Sequence, residues 1–447
     1  MHSPRLARLV LASAAALCFL VLPAFASPDA KAGLPAGYEA ASPDCRAALL
    51  KAASLADSGA WKSAFAALDE YDPGNADPYA LAMKTELCLD GFAQSMMHRL
   101  FGLKDLLPGE DLEALRRDGG EFELVGLDPA ALAEAQARAG VAAPPVLSLA
   151  LGDYFYDVQL RYEGGWFLAD EEVRGKAVAA YARAEAGGLL VAQALRRKAE
   201  LLVVAGDFEG ADSGYRAAIA LAPGDPELRY RFAVALLMRE LRVEALAELD
   251  AALEAYAAPE SRFEAYVLAA RTAAEAGDAK RSAAYLDAAE REFPDQPAPG
   301  LVRHLLAVEG GAEEAAAAAA EAVMARFPNS PYVVRSLVSS WLGSGKDEAA
   351  AAFLDRSIAR AGADYEARGG LLFYKALLVA QVRGEAGAAE ALAVLDLAEA
   401  DFGKAFPPGH EVFGVIAEIR ANLLPAAEPA APGGVSAPDS ASAATGE

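Results

Sequence analysis

Cysteine and histidine are scarce in this sequence of 447 residues, which contains 3 cysteines and 4 histidines. The histidines (His2, His98, His304 and His410) do not pair at the spacing that zinc or haem ligands require. No Gly-x-Ser-x-Gly nucleophile elbow occurs, and scattered carboxylates do not single out an acid/base pair. We therefore predict a non-enzymatic protein without a metal or other cofactor.

Positive charge is also in short supply. The chain has 40 Lys and Arg residues against 64 Asp and Glu residues, which gives a formal net charge of −24. A nucleic-acid surface needs clustered Lys and Arg to neutralise phosphates. The composition therefore argues against a nucleic-acid partner and favours partners with basic surfaces.

Long apolar runs are absent except near the N-terminus. Arg5 and Arg8 precede an uncharged stretch at residues 9–22, which is too short for a comfortable transmembrane span. Ala24 and Ala26 are small residues at the positions that a signal peptidase recognises. We predict a signal peptide over residues 1–26, cleavage after Ala26, export to the periplasm or cell envelope, and no transmembrane helix in the mature chain.

The cysteines leave one alternative open. Cys18 is a candidate for lipidation, although Leu17 before it is not small and residues 19–22 after it are still apolar. The lipid anchor is therefore the minor alternative to simple export. Cys45 and Cys88 lie at different heights along equivalent helices in the repeat register, roughly 15 Å apart along the axis, which predicts two buried thiols and no disulfide.

The stretch Gly343-Ser344-Gly345-Lys346 resembles part of a phosphate-binding loop. However, Ser340 stands where that motif has its first glycine, and Asp347 replaces the hydroxyl residue that would bind magnesium. Gly345 also belongs to a series, because Gly277, Gly311 and Gly345 follow one another at intervals of 34 residues. The interval predicts a turn between two helices of a repeated unit rather than a nucleotide site.

Residues 192–225 are the best single copy of this unit. They contain Gly206-Asp207-Phe208, then Ala211, Tyr215, Ala218 and Pro223. This pattern resembles the second helix of the tetratricopeptide repeat, whereas the first helix matches weakly. The resemblance implies an all-α fold, a solenoid of helix-turn-helix units in a right-handed superhelix, typical of an exported bacterial tetratricopeptide-repeat protein.

The resemblance covers the chain unevenly. After the signal peptide we predict repeat-like helices over residues 27–100, an irregular insert or connector over 101–147 and the main array over 148–424. Within the insert, residues 122–127 look extended and Asp128-Pro129 is typical of a helix start. Residues 226–262 lack the turn glycine and have Glu240 in its place. The array ends in a capping helix at 410–424, and a Pro/Ala/Gly/Ser tail at 425–447 is predicted to be disordered.

The resemblance also implies where a partner binds. In this family the concave surface comes from the second, fifth, ninth and twelfth residues of the first helix of each pair. Projected onto this chain, the implied partner-binding residues are Arg196, Tyr230, Arg271, Tyr332 and Arg335. Glu200 also falls on that surface, which is apolar near Leu301 and Leu305. The Lys and Asn pair of the chaperone-binding members does not occur.

Residues 152–167 contain the densest group of aromatic side chains, beside an inserted loop at 163–175. Tyr154, Tyr156, Tyr162, Trp166 and Phe167 either pack within the solenoid or form a recognition surface, and the sequence leaves both interpretations open.

Together these features predict a scaffold or adaptor of the bacterial cell envelope that binds a protein partner on its concave helical surface. The alternative is a ligand-binding or transporter-accessory periplasmic protein that uses the aromatic stretch. The sequence does not reveal the partner's identity, the pathway or the oligomeric state.

Overall fold

The computed structural model describes residues 34–257 and 262–423. The predicted signal peptide at 1–26 and the predicted tail at 425–447 lie outside these residues. The described chain divides between residues 277 and 278 into two compact bodies. They are called the N-terminal body (34–277) and the C-terminal body (278–423) below.

The N-terminal body is mostly helical. Its helices pair as antiparallel neighbours, α1 with α2, α6 with α7, α8 with α9 and α10 with α11. The helices are α1 (Pro43–Asp57), α2 (Trp61–Tyr71), α3 (Pro78–Gly91), α4 (Leu112–Asp118), α5 (Pro129–Arg138), α6 (Pro145–Arg161), α7 (Asp170–Ala186), α8 (Ala192–Ala205), α9 (Phe208–Leu221), α10 (Pro226–Leu237), α11 (Arg242–Ala255) and α12 (Arg262–Glu275).

The C-terminal body repeats the same arrangement. After α13 (Ala279–Glu292), α14 (Ala298–Glu309) pairs with α15 (Glu313–Arg326), and α16 (Pro331–Gly343) packs on α17 (Asp347–Ala361). A longer pair follows, α18 (Tyr365–Arg383) and α19 (Ala388–Ala405), joined by a 3-10 turn at Gly384–Gly387. The predicted capping helix is α20 (Glu411–Leu423), which packs on α19. No helix of the described residues is long and apolar enough to cross a membrane.

The turn inside a pair depends on a residue in the left-handed region. Gly206, Gly277, Gly311 and Gly345 have φ between +67° and +82°, a range that glycine adopts without steric cost. Glu240 takes the same role with φ of +59°. The sequence interpretation of Glu240 as the replaced turn glycine is therefore confirmed.

Small residues let the paired helices approach closely. A Cβ on Gly152 would lie 2.6 Å from the Tyr181 ring, and one on Gly214 would lie 3.1 Å from Ala199. Tyr181 and Ala199 are themselves buried. The repeated small and large residues thus form a series of buried clusters along each body, as expected for stacked pairs that cannot bury their faces alone.

A small antiparallel sheet follows α3 where a second helix would be expected. Its strands are β1 (Phe92–Met96), β2 (Leu100–Leu103) and β3 (Glu123–Gly126), in the order β1-β2-β3. The sheet begins before the predicted insert boundary at residue 101, and α6 begins at Pro145 rather than 148. A Cβ on Gly91 would lie 2.5 Å from the Trp61 ring. This close approach places the end of α3 against α2 and directs the chain into β1.

Three local predictions are confirmed. The extended piece at 122–127 contains β3, and Asp128 caps α5 by accepting a hydrogen bond from the Ala131 amide. Cys45 and Cys88 are both buried and free, and burial raises the pKa of each thiol. The predicted inserted loop at 163–175 is shorter than expected, because α7 already begins at Asp170.

Candidate functional site

The first helices of successive pairs contact one another and form one surface in each body. In the N-terminal body, α3 packs on α6, α6 on α8, and α8 on α10. In the C-terminal body, α14 packs on α16 and α16 on α18. This arrangement, which we call the first-helix face, presents side chains from several pairs next to each other.

Ion pairs fill the first-helix face of the N-terminal body. Arg197 donates to Asp153 at 2.6 Å, and the Tyr181 hydroxyl donates to the same carboxylate oxygen at 2.7 Å. Arg196 and Tyr156 both donate to Glu200. Although desolvation opposes it, the charge of Asp153 raises the pKa of Arg197, so this guanidinium stays charged.

A second group continues this network on α10. Arg231 donates to Glu227 at 2.6 Å, one helical turn away, and the Tyr256 hydroxyl donates to the other oxygen of Glu227 at 3.2 Å. Tyr230 is half-buried and packs against a small core cluster that contains Tyr256. Arg271 on α12 is exposed, and none of the residues described forms an ion pair with it.

Two carboxyl groups on α3 extend the charged region. The Tyr38 hydroxyl donates to Glu86 at 3.0 Å. Desolvation by burial raises the pKa of Glu86 to about 8, and Asp90, one helical turn later, is exposed to solvent. Neither residue was predicted from the sequence. Their signal was the pairing of like charges four residues apart on one helix, an arrangement that isolated helices disfavour.

The hairpin between β1 and β2 is anchored by His98, whose side chain has no exposed surface. Its Nε2 atom lies 2.6 Å from Asp157 Oδ2, and its Nδ1 atom lies 2.9 Å from Ser95 Oγ. Although burial opposes it, the hydrogen bond from His98 and the charge of Arg161 hold the pKa of Asp157 below its ordinary value. Neutral His98 satisfies this chain when Nε2–H donates to Asp157 and Nδ1 accepts from Ser95.

The same hairpin has a strained turn. Met97 and His98 both have φ of +51°, which is uncommon for residues other than glycine. The Tyr154 hydroxyl donates to the His98 carbonyl at 3.0 Å, and Trp166 Nε1 donates to the Met97 carbonyl at 3.2 Å. Ser95, His98 and Asp157 therefore act as an anchor, because both ring nitrogens are occupied inside a closed aromatic shell.

The aromatic stretch at 152–167 packs around this hairpin. Tyr154 is fully buried, and Trp166 meets Tyr154 and Phe155 edge to face. The Tyr162 ring lies edge-on to His98. Phe167 is about half exposed but lies under the Arg99 guanidinium at 4.0 Å. These contacts favour packing over an open ligand pocket between Tyr162 and Trp166.

The first-helix face of the C-terminal body differs from that of the N-terminal body. Tyr332 is 51% exposed, and Arg335, three residues later on α16, is also exposed. Leu301 on α14 and Tyr374 on α18 are half-buried against the same core cluster as the inner side of α16. Burial raises the pKa of Tyr374, and the charge of Arg335 partly opposes this increase. The Arg335 guanidinium therefore acts electrostatically on the Tyr374 hydroxyl.

The glycine-lysine stretch has a structural role. Gly345 forms the left-handed turn before α17, and Lys346 Nζ donates to the Val308 carbonyl at 3.0 Å. The interpretation of this stretch as a repeat turn is confirmed. Within residues 34–257 and 262–423, no three His, Cys, Asp or Glu side chains converge in a way that could hold a metal ion.

Comparisons with known proteins give structural likeness at low sequence identity. No family model matches the chain, and no curated protein matches it. A structure of PilF from Pseudomonas aeruginosa is 15% identical, with 46% of this chain and 90% of that chain covered and a TM-score of 0.33. PilW, described as a widely conserved type IV pilus biogenesis factor, is 17% identical over 46% and 91% of the chains, with a TM-score of 0.34. Yeast Tom70 is 12% identical over 84% and 86%, with a TM-score of 0.37.

These scores lie below 0.5, so the class of the fold rests on the helix pairs themselves. In each body, antiparallel helix pairs stack on one another. Each pair has a turn residue in the left-handed region, and small residues lie at the interface between the two helices. This architecture is an α-solenoid. The described residues form such a solenoid, whose repeat pattern resembles the tetratricopeptide repeat, with a three-stranded sheet after the third helix.

Proposed function

We propose that this protein is a non-enzymatic scaffold of the bacterial cell envelope and that it binds a segment of a partner protein on its first-helix face. The observation that carries the proposal is the contact between successive first helices, α14 with α16 and α16 with α18. Side chains from three pairs thereby share one preformed surface. A preformed surface reduces the ordering cost of binding on the scaffold side.

The cell-envelope location is supported by the sequence of residues 1–26, which has the basic, apolar and small-residue regions of a signal peptide. We expect the mature chain to begin at Ser27. Mass spectrometry of the mature N-terminus after expression in a bacterial host tests this. A chain retaining Met1 or carrying a lipid on Cys18 would contradict the expected processing.

Site-specific photo-cross-linking tests the binding surface. A photoreactive phenylalanine analogue at Tyr332, on a first helix, is expected to give a defined adduct in the native host. The matched control is the same analogue at Leu397, which is 58% exposed on the second helix α19 of the same body. Equal adducts at both positions, or none at Tyr332, would contradict binding on the first-helix face.

A further inference from the structure

Strand β3 lies at the edge of the three-stranded sheet and pairs with β2 on one side. The amide of Leu127, just beyond β3, donates to the carbonyl of Arg99, just before β2, at 2.9 Å. The hydrogen-bonding direction alternates from residue to residue along an antiparallel strand. The N–H and C=O groups of Leu124 and Gly126 therefore point away from β2, towards the outer edge of β3.

The outward groups of Leu124 and Gly126 have no hydrogen-bond partner in the part of the chain that the structure describes. Both residues are exposed. The opposite edge of the sheet is different, because α4 packs on β1 and Arg116 Nε donates to the Phe92 carbonyl at 2.8 Å. The sheet is thus covered at one edge and open at the other, and an open edge can pair with a further extended chain.

The solvent face of the sheet is apolar beside this open edge. Met96, Leu100 and Leu124 project from that face and are exposed. The opposite face carries Phe101 and Leu103, which are buried in the core of the N-terminal body. Side chains alternate between the two faces of a strand. Every second side chain of a strand added to β3 would therefore lie beside Leu124 on the solvent face.

The charge around β3 is acidic. Residues 118–128 contain four acidic residues and no Lys or Arg. Lys62, Arg99 and Arg117 pair with three of these acids, whereas Glu121 forms no ion pair with any residue that the structure describes. The whole chain carries a formal net charge of −24. A second copy of this acidic segment is therefore repelled from the open edge, and a basic strand is attracted to it.

We propose that the outer edge of β3 binds an extended basic segment of a partner protein, which joins the sheet as an added strand. The main chain of the segment pairs with Leu124 and Gly126. Its alternate apolar side chains pack beside Leu124 and Leu100, and a Lys or Arg side chain pairs with Glu121. This surface consists of residues of the sheet and not of the first helices, so it is a binding site additional to the first-helix face.

Selection from a library of random peptides, displayed with linkers at both ends, tests this site on the mature chain. The decisive variant is Gly126→Pro, which removes an outward N–H group and leaves the pairing with β2 in place. The matched control is Gly126→Ala, because the φ of Gly126 lies outside the left-handed region and an added Cβ would lie 3.7 Å from Leu100, an ordinary contact distance. We expect a group of enriched peptides with alternating apolar residues and Lys or Arg. G126P should weaken their binding by about tenfold or more, and G126A should change it by less than about threefold.

The contribution of the main chain is tested with two N-methylated versions of such a peptide. Only alternate N–H groups of an added strand face β3. Methylation of one alternate set should weaken binding to the unmodified chain by about tenfold or more, and methylation of the other set should change it by less than about threefold. If both versions bind like the parent peptide, the segment does not pair through its main chain and the proposal is wrong.

The remaining outcomes separate this site from the first-helix face. If no enriched peptide distinguishes G126P from G126A, the open edge binds no strand, while peptides that bind all three chains equally remain consistent with the scaffold function. Edge-dependent peptides without Lys or Arg would contradict the charge argument. A dimer of the unmodified chain that G126P abolishes in sedimentation velocity would assign the edge to a second copy and overturn the proposal. Circular dichroism checks that G126P keeps the fold, and the N-methylated peptides test the site on the unmodified chain independently of that variant.

Discussion

Replacing Glu86 by Gln should change how the stability of the N-terminal body depends on pH. Glu86 lies on α3 and accepts a hydrogen bond from Tyr38 at 3.0 Å. Burial raises its pKa to about 8 from an ordinary value of 4.5. The unfolded chain therefore ionises at lower pH than the folded chain, and stability falls as pH rises from about 4.5 to about 8.

The size of this effect follows from the two pKa values. At about 1.4 kcal/mol for each pH unit, the ionisation cost has an upper limit of about 5 kcal/mol at pH 8. Because the Glu86 side chain retains some contact with solvent, screening should reduce this to about 2 kcal/mol. Glutamine keeps an oxygen that accepts from Tyr38 and does not ionise. We expect E86Q to match the unmodified chain near pH 5 and to exceed its stability by about 2 kcal/mol at pH 8.

Urea unfolding at several pH values measures this difference. Trp341 is replaced by Phe in every chain, so that fluorescence reports only on Trp61 and Trp166 of the N-terminal body. The control is Glu70→Gln, since Glu70 is 80% exposed at the side chain and forms only a surface contact with Lys51. E70Q should stay within about 0.5 kcal/mol of the unmodified chain at every pH. If the E86Q and unmodified curves remain parallel between pH 5 and 8, Glu86 is ionised in the folded protein and the burial argument is refuted.

Three further predictions concern single positions. Glu240→Gly should stabilise the N-terminal body by up to about 1 kcal/mol in urea unfolding, because Glu240 has φ of +59°. The control Glu209→Gly, in the first turn of α9, should destabilise that body by about 0.5–1 kcal/mol. A loss of stability with E240G would contradict the strain argument. His98→Ala should lower the free energy of unfolding by about 2–4 kcal/mol and increase hydrogen exchange over residues 92–103, since it leaves Asp157 and Ser95 without their buried partner. Unchanged exchange over these residues would show that His98 does not anchor the hairpin. Burial lowers the pKa of His304, so the C-terminal body should lose stability as pH falls below the unfolded pKa of about 6.5. Urea unfolding followed by Trp341 fluorescence should show a smaller loss of stability in His304→Gln. An equal loss of stability in both chains would exclude His304 as its source.

The repeat architecture was accessible from the sequence because it depends on local rules repeated at a fixed interval. Gly277, Gly311 and Gly345 mark the left-handed turns, and even Glu240 was found at its expected place by counting from its neighbours. The hairpin was not accessible in this way. Its turn consists of Met97 and His98, whereas an Asn-Gly pair is the sequence typical of a tight hairpin. Residues 92–100 were therefore predicted to belong to the helical part of the chain.

The candidate site was predicted only in outline. Family register selected the first helices, but it did not distinguish Arg196, which is buried and paired with Glu200, from Arg335, which is exposed. It also passed over Asp153, Arg197 and Glu86, whose partners come from other helices or from the N-terminal segment. Side chains that pair across a long separation in the sequence do not recur at a fixed interval, so periodicity cannot predict the pair.

The sequence by itself determined the helix pairs, their turns and the small residues between them, because each of these follows from backbone conformation and side-chain size over a few neighbouring residues. Tertiary structure decided which charges are neutralised inside the protein and which remain available to a partner. It also decided that Tyr154, Trp166 and His98 pack around one strained hairpin. The physical reason is that burial and ion pairing are properties of contacts between elements, which are set only when the helices stack.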